Sequence, residues 1–504
     1  MRLFRKVLVA NRGEIAVRVL RTCRVLEIPS VAVYSQADRG ALHVREADEA
    51  VEIGPAEAKH SYLSIPALVD AARRSGADAV HPGYGFLSQN GDFADAVAAA
   101  GLTFVGPPGD VHRKLGDKMA ARRMMAAAGV PVLPGYDGDD QQDARLLAEA
   151  RRIGFPLMLK PSRGGGGKGM RVVRDERELQ GALESARREA RAAFGDDVML
   201  LERFVERPRH VEVQVVADTH GHVIHLGERE CSVQRRHQKV VEETPSPALD
   251  TTSREALCAA GVAAARAAAY VNAGTVEFLL APDGGFHFLE MNTRLQVEHP
   301  VTEAVTGLDL VRLQLELAAG RPLGLAQSDV VRSGHALECR LYAEDPERDD
   351  LPSPGRVLRL SEPQGPGVRV DSGLAAGSEV TIHYDPLLLK VVTWGHDRDE
   401  AVARMRDALR HTVVLGVVTN LSRLRAIVEH PAFARGELHT GFIEQHLADL
   451  TLRPCPPLVA IAALAVALDR SRPSAAVRPT GTAVPDAWSQ VGPWRLGEVQ
   501  AGGR

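Results

Sequence analysis

Residues 286–300 read FHFLEMNTRLQVEHP, a run in which a polar side chain occupies every second position from Glu290 to Glu298. In an extended chain, a period of two places alternate side chains on opposite faces of a strand. The polar face would carry two acids, two amides and one guanidinium, namely Glu290, Asn292, Arg294, Gln296 and Glu298. The residues between them are mostly apolar, so the pattern predicts a strand with one buried face and one polar face.

A second predicted strand, TVEFLLA at residues 275–281, precedes this stretch and is joined to it by Pro-Asp-Gly-Gly. Asp-Gly between two strand-like runs is typical of a β-hairpin, and a turn centred on it would place Glu277 across from Glu290. Facing carboxylates repel each other unless a cation lies between them, most simply Mg²⁺. The alternative is an edge hairpin with a solvated polar face. Arg294 and Glu298, which follow in register, favour the cation site.

The composition is that of an ordinary soluble protein with several domains: 504 residues, 45% hydrophobic and 25% charged, with a formal net charge of −4. This balance gives no indication of a nucleic acid or a membrane as partner. The five cysteines are scattered and form no CxxC pair, so neither a disulfide framework nor a zinc site is indicated. No apolar run is long enough for a signal peptide or a membrane span. We therefore expect a cytoplasmic protein.

Residues 6–106 alternate short apolar runs with amphipathic ones. This rhythm predicts βαβ units on a parallel sheet, and hence a doubly wound α/β domain. No G-x-G-x-x-G follows the first predicted strand, which argues against a nicotinamide site. The loop HPGYGF at residues 81–86 follows a predicted strand, where such sheets place ligands, although a plain Gly/Pro turn is an equally good interpretation.

A small α+β unit follows and runs to about residue 205. Its most informative stretch is SRGGGGKG at residues 162–169, with Lys160 before it and Lys168 inside it. Consecutive glycines leave main-chain N–H groups able to wrap an anion and permit large backbone changes. Because predicted strands flank the run closely, we interpret it as a phosphate-binding loop and a lid over a nucleotide, rather than as a linker.

The region from residue 206 to about 450 is predicted to be a larger mixed α+β domain, rich in strands at first. Its basic run, CSVQRRHQK at residues 231–239, lies between a predicted strand and the acidic hairpin, so an anion-facing role is favoured over a solvated loop. Arg340 lies on a later alternating strand. Residues 451–504 become rich in proline and alanine and are interpreted as a linker and an incomplete module.

Motifs spread over residues 3–450 closely resemble the biotin carboxylase component of biotin-dependent carboxylases. They are LVANRGEIAVRVLR, ADEAVEIGP, HPGYGFLSQN, GGGGKGMRVV, ECSVQRRHQKVVEE, GTVEFL, FLEMNTRLQVEHPVTE, ECRLYAEDP and PSPG. The resemblance implies an ATP-grasp ligase with an N-terminal domain at 1–118, a lid at 119–205 and a C-terminal domain at 206–450, then a linker and truncated connecting segment at 451–504. It implies carboxylation of biotin at N1′ by bicarbonate and MgATP through carboxyphosphate, with release of ADP and phosphate.

The resemblance also implies roles for individual residues. Those expected to bind ATP are Lys118, Lys160, Gly165, Gly166, Gly167, Lys168, Gly169, Glu202, His210, Gln234 and His237. Two Mg²⁺ or Mn²⁺ ions would be held by Glu277, Glu290 and Asn292. Bicarbonate and biotin would meet Tyr84, Gly85, Lys239, Arg294, Gln296, Val297, Glu298 and Arg340. Glu298 would act as the general base and Arg340 would stabilise the biotin enolate, while Arg294, aided by Lys239, would hold bicarbonate.

Some positions depart from the family pattern. Arg203 stands where many relatives have lysine, and Gln89 replaces the glutamate of the usual FLSEN motif. Arg163 with Lys168, and HTGFI at residues 439–443, are more similar to acyl-CoA carboxylase α-subunits than to stand-alone biotin carboxylases. The final acyl-CoA acceptor is not indicated by the sequence.

The sequence contains no Met-Lys-Met biotinylation tripeptide. We therefore expect biotin to arrive as a substrate on a separate biotin carboxyl carrier protein, with a separate carboxyltransferase subunit, and the resemblance suggests a homodimer. One alternative is another ATP-grasp ligase that activates a different carboxylate, against which the EHP run and Arg340 argue. A second alternative is a silent scaffold subunit, prompted by Gln89 and the short tail, against which the intact set of site residues argues.

Overall fold

The N-terminal part of the chain forms a parallel sheet of five strands. Its strands are β1 (Val7–Val9), β2 (Ser30–Ser35), β3 (Glu49–Gly54), β4 (Ala79–His81) and β5 (Thr103–Phe104), in the order β3-β2-β1-β4-β5. The helices here are α1 (Gly13–Val25), α2 (Leu42–Glu46), α3 (Ile65–Ser75), α4 (Gly91–Ala99) and α5 (Gly109–Gly116). The predicted doubly wound domain is confirmed. The edge strand β3 was missed because its residues, EAVEIG, are largely exposed and carry acids instead of a continuous apolar run.

The computed structural model describes residues 3–162 and 169–450. The predictions for Gly165, Gly166, Gly167 and Lys168, for Arg163, and for the segment 451–504 therefore lie outside the described residues. The described residues all belong to one unit, Met1–Leu452. Among them, no helix has the length and apolar character needed to cross a bilayer.

A small antiparallel sheet follows, in the order β6-β9-β7-β8. Its elements are α6 (Lys118–Ala127), β6 (Gly135–Tyr136), α7 (Asp143–Ile153), β7 (Leu157–Pro161), β8 (Arg171–Val173), α8 (Glu176–Phe194) and β9 (Met199–Arg203). Helix α8 begins where the Asp175 carboxylate accepts hydrogen bonds from two main-chain N–H groups, and it ends at Gly195, whose φ of 71° is left-handed.

The remaining strands are β10 (Arg209–Ala217), β11 (Val223–Arg235), β12 (Gln238–Thr244), β13 (Asn272–Leu280), β14 (Phe286–Asn292), β15 (His335–Tyr342), β16 (Glu344–Asp345), β17 (Leu351–Pro352), β18 (Gly355–Arg356), β19 (Arg359–Ser361), β20 (Val368–Ser372), β21 (Glu379–Val380), β22 (Leu387–Gly395) and β23 (Val413–Leu415). Eight of them form one large sheet, in the order β14-β13-β10-β11-β12-β15-β22-β20. The helices are α9 (Thr251–Ala267), α10 (His299–Thr306), α11 (Leu310–Ala318), α12 (Arg398–His411), α13 (Leu421–Glu429), α14 (Pro431–Ala434) and α15 (Phe442–Gln445).

One face of the large sheet packs against α9. Alternate residues of β10, Val211, Val213 and Val215, belong to one hydrophobic cluster with residues of α9, as a period of two predicts. The helix approaches so closely that a Cβ on Gly261 would lie 2.7 Å from the Val213 side chain. The side chains that alternate with these valines point to the opposite face of the sheet, and that face carries the polar residues of the site.

The predicted extended run after β13 is only partly correct. The pairing of Glu277 with Glu290 is confirmed, but β14 ends at Asn292, and residues 293–298 form a loop that leads into α10. The loop is fixed by contacts outside the hairpin, since the Gln89 side chain accepts a hydrogen bond from the Thr293 N–H at 3.0 Å. A single-strand pattern could not reveal this contact, because the two residues are 204 positions apart.

Candidate active site

A row of charged residues crosses four neighbouring strands of the large sheet. Arg229 on β11 lies opposite Glu212 on β10, Glu212 lies opposite Glu277 on β13, and Glu277 lies opposite Glu290 on β14. Like charges on adjacent strands are destabilising unless cations separate them. The row contains three carboxylates and one guanidinium, so it needs further positive charge from other parts of the fold.

Lys239, at the start of β12, supplies one of these cations. Its Nζ lies 2.5 Å from Glu212, 2.8 Å from Glu277 and 2.7 Å from Glu298. An ammonium group has three N–H donors, so each donor is engaged by one carboxylate. Burial disfavours the charge, but the three acids outweigh burial and hold the pKa of Lys239 well above its usual value.

Arg229, the cation within the row itself, is fully buried. Its guanidinium donates hydrogen bonds to Glu212, Gln214, Thr275 and Thr302. This is a buried ion pair with its remaining donors satisfied, the condition under which such a pair is tolerated. Arg229 therefore anchors Glu212 while Glu212 anchors Lys239.

We expect Arg229→Met to lower the free energy of unfolding by about 3 kcal/mol or more, because it leaves Glu212 buried with only the shared Lys239 as partner. Chemical denaturation measures the loss. The double variant Glu212→Gln/Arg229→Met removes both charges and should recover most of the stability. An equal loss in the single and double variants would contradict this explanation.

Glu298 lies at the end of the loop that follows β14, fully buried. Its Oε1 accepts a hydrogen bond from Lys239, and its Oε2 accepts one from Arg340 at 2.8 Å. Burial raises the pKa of Glu298, but the charges of Lys239 and Arg340 more than offset this and hold it well below its usual value. Glu298 is therefore ionised at neutral pH. Arg340 is itself shared, because it also contacts Glu242 at 2.5 Å.

The facing carboxylates of Glu277 and Glu290 fit a divalent cation. Burial and the charge of Glu277 raise the pKa of Glu290, so a cation beside it would stabilise its ionised form. Asn292 donates to Glu277 at 2.8 Å and so brings its amide to the same place. Two carboxylates and an amide are the oxygen donors that Mg²⁺ and Mn²⁺ prefer.

The residues predicted to bind ATP fall into two groups. His210 lies 2.9 Å from Glu277, and its Nδ1 lies 3.5 Å from Gln234. His210 and Gln234 therefore belong to the group of side chains around Lys239, which also contacts Glu277. Lys160 instead forms a buried ion pair of 2.5 Å with Glu202, which also accepts a hydrogen bond from Arg122 at 3.0 Å. Sequence analysis had not identified Arg122.

Lys118 connects these two groups electrostatically. The pKa of Lys118 is lowered overall, because burial and the charge of Lys160 together outweigh the charge of Glu290, which raises it. Gly169 has a φ of 75°, and its N–H donates to Glu189. Of the other ATP candidates among the described residues, His237 is exposed at the tip of the β11–β12 hairpin.

The basic run in this hairpin faces acids of the protein itself. Arg235 contacts Glu344 at 2.9 Å and Asp350 at 2.8 Å, and Arg236 contacts Asp349 at 2.6 Å. These arginines therefore brace the turn. The anion-facing role expected for the run stays a prediction and depends on Lys239, whose contacts are with the carboxylates of the candidate site.

Two of the bicarbonate and biotin candidates, Tyr84 and Gly85, lie on the N-terminal domain. Asn11 donates to the main-chain oxygens of Pro82 and Tyr84 at 2.7 Å each, which holds the HPGYGF loop. The Tyr84 ring lies 5.7 Å from the Lys390 ammonium, and Gly85 has a left-handed φ of 71°. The loop thus reaches Lys390 on β22, which lies opposite Arg340 on β15 in the sheet.

Several buried charges were missed by sequence analysis, namely Glu212, Arg229, Glu242, Glu338 and Lys390. A signal existed for Glu212, since HVEVQV places it on the same strand face as His210. The other four are recognisable only once strand order is known.

Three family models match the sequence in succession. They are "Biotin carboxylase, N-terminal domain" at residues 3–111, "Carbamoyl-phosphate synthase L chain, ATP binding domain" at 117–326, and "Biotin carboxylase C-terminal domain" at 338–445.

Curated relatives agree. A biotin carboxylase of Pseudomonas aeruginosa is 52% identical over 443 residues, which cover 88% of this chain and 98% of that protein. The mitochondrial methylcrotonoyl-CoA carboxylase subunit alpha of Mus musculus is 51% identical over 446 residues, and the match spans 62% of that longer protein.

Solved structures give the same result. The biotin carboxylase domain dimer of Hydrogenobacter thermophilus 2-oxoglutarate carboxylase, in complex with MgADP, ADP and bicarbonate, has a TM-score of 0.86 and 44% identity, covering 89% of this chain and 99% of that one. A biotin carboxylase from Campylobacter jejuni in complex with a nucleotide has a TM-score of 0.86 and 42% identity, covering 88% of this chain and 99% of that one.

Proposed function

Since this chain belongs to the biotin carboxylase family of ATP-grasp ligases, we propose that it carboxylates biotin on a separate carrier protein, using MgATP and bicarbonate. The observation that carries the proposal is the continuous set of contacts from Lys239 through Glu298 to Arg340, beside the facing carboxylates of Glu277 and Glu290. This arrangement combines cations for a small anion, an ionised base and a cation site within one buried face.

In the first step, the protein positions bicarbonate against the terminal phosphate of ATP. Arg294 and Lys239 bind the anion, with Gln296 and the Val297 main chain, and Glu298 accepts its proton. The freed oxygen attacks the phosphorus, the bond to ADP breaks, and carboxyphosphate forms. Mg²⁺ or Mn²⁺ held by the facing carboxylates and Asn292 would neutralise phosphate charge.

In the second step, carboxyphosphate releases carbon dioxide and phosphate next to biotin. The N1′ proton passes to the released phosphate, negative charge moves to the ureido oxygen, and the Arg340 guanidinium stabilises that oxygen. N1′ then forms a bond to the carbon of carbon dioxide. Tyr84 and Gly85, on the loop held by Asn11, would form the wall beside biotin.

The nucleotide is proposed to bind Lys118, Lys160, Glu202, His210, Gln234, His237 and the glycine loop with Lys168 and Gly169. Lys118 supports this placement because its charge interacts with both Glu290 and Lys160. Lys160 is paired with Glu202, so a phosphate has to compete with this carboxylate. The hydrogen bond from Arg122 keeps Glu202 in place when Lys160 turns to the phosphate.

The proposed partners are a biotin carboxyl carrier protein, a carboxyltransferase subunit and a second copy of this chain. The similarity to proteins named as carboxylase alpha subunits supports the first two. The dimer follows from the Hydrogenobacter thermophilus domain, which is named as a dimer. We propose the cytoplasm as the compartment, because the described cysteines are free thiols.

ATP hydrolysis by the purified chain tests the proposal. We expect ADP release that requires bicarbonate, increases when free biotin is added, stops with a chelator and returns with Mg²⁺. Hydrolysis that is independent of bicarbonate would instead indicate another ATP-grasp ligase. Absence of turnover in the presence of all substrates would indicate a scaffold subunit.

A further inference from the structure

Three successive carbonyl groups of the loop after β14 are each held by a side chain. The Leu295 oxygen accepts a hydrogen bond from Arg294 at 3.1 Å, the Gln296 oxygen accepts one from His299 Nδ1 at 2.7 Å, and the Val297 oxygen accepts one from Lys390 Nζ at 2.8 Å. The His299 main-chain N–H also reaches the Gln296 oxygen, over a longer 3.3 Å. The ring is thus the closer donor to this carbonyl.

His299 and Lys390 are fully buried and come from different elements, α10 and β22. The Lys390 ammonium stays charged because Glu14 and Asp371 lie 3.4 and 3.9 Å away. A carbonyl oxygen only accepts hydrogen bonds, so the short contact to Gln296 requires the proton of His299 to be on Nδ1. Burial and the neighbouring charge of Lys390 hold the pKa of His299 well below its usual value, so the ring is neutral.

These two bonds fix the main chain on both sides of the Val297 Cα. In a planar trans peptide the N–H points away from the C=O of the same unit. The Gln296 carbonyl shares its unit with the Val297 N–H, so holding this carbonyl on the core side directs the N–H to the opposite side. Among residues 3–162 and 169–450, no group accepts a hydrogen bond from the Val297 N–H.

We propose that His299 and Lys390 are positioning residues for bicarbonate, which orient the Val297 N–H and the Glu298 carboxylate that follows it. The inference rests on the proposed function, in which the Val297 main chain contacts bicarbonate. An N–H that is already oriented stabilises a bound anion without reorganisation, and so binds it better than a flexible one. Neither residue needs to touch substrate for this effect.

The test compares two amides at position 299. His299→Asn places its amide N–H where Nδ1 was, whereas His299→Gln places the amide nearer the position of Nε2. We expect the KM for bicarbonate in ATP hydrolysis to rise about tenfold or more in His299→Gln and to stay within about threefold in His299→Asn. The KM for ATP should stay within about twofold in both, because no residue of the loop is among those proposed to bind the nucleotide.

Each outcome is decisive. An unchanged KM for bicarbonate in His299→Gln, or an equal rise in both variants, would overturn the inference, as would a parallel rise in the KM for ATP. His299→Phe, a second ring without a donor, replaces the Gln variant if that one fails to fold. If neither folds while the Asn variant does, the bond serves folding and the assignment is withdrawn. A wild-type chain with no bicarbonate dependence would instead refute the proposed function itself.

Discussion

Glu298→Gln is expected to lower the turnover of biotin carboxylation by about 10³-fold while nucleotide affinity stays within about twofold. Glutamine has nearly the shape of glutamate but does not accept a proton at neutral pH. The variant should fold, because the two cations that contact Glu298 keep other partners: Lys239 retains Glu212 and Glu277, and Arg340 retains Glu242.

Bicarbonate-dependent ADP release measures the turnover, and equilibrium binding of a nucleotide analogue measures the affinity. Glu347→Gln is a matched control, because Glu347 is exposed and lies outside the site. It should leave both quantities unchanged. Near-normal turnover in Glu298→Gln would rule out the base role.

Arg340→Ala should reduce the ATP hydrolysis that depends on biotin by about 10²-fold or more, and reduce the biotin-independent, bicarbonate-dependent reaction much less. The reason is that the guanidinium charge is needed where the enolate forms, whereas bicarbonate still has Arg294 and Lys239. The two rates are measured in the same assay with and without free biotin. Equal loss of both would contradict this division of roles.

A structural control is needed because Arg340 also compensates a buried acid. Burial raises the pKa of Glu242 to about 7, against the lowering effect of the Arg340 charge. Loss of Arg340 therefore favours protonation of Glu242, and this relieves part of the cost of an unpaired buried charge. The double variant Arg340→Ala/Glu242→Gln should show the same defect toward biotin with recovered stability. If the double variant regains biotin-dependent activity, the defect is one of folding.

The elements that were predicted correctly are those whose signals are local. The hairpin of Glu277 and Glu290 follows from two alternating runs around an Asp-Gly turn, all within about 20 residues. The parallel sheet follows from the rhythm of apolar and amphipathic runs. Roles for single residues came only from the family resemblance, since neither spacing nor charge distinguishes a catalytic arginine from an ordinary ion pair.

The features that could not be predicted depend on strand order. Lys239 on β12 reaches Glu212 on β10 across the intervening strand β11. Arg340 meets Glu242 because β15 pairs with β12. These partners are separated by tens of residues or more, so a period of two gives the face of a strand but not its neighbour. For the same reason the loop at residues 293–298 was mistaken for a continuation of β14.

All three N–H donors of Lys239 are engaged by carboxylates, and this affects how an anion can bind at the site. An anion that binds Lys239 would have to displace one of the carboxylates that already contact it, and these are tethered nearby at a high local concentration. We therefore expect the carboxylates around Lys239 to favour the binding of anions that resemble the side chain they displace.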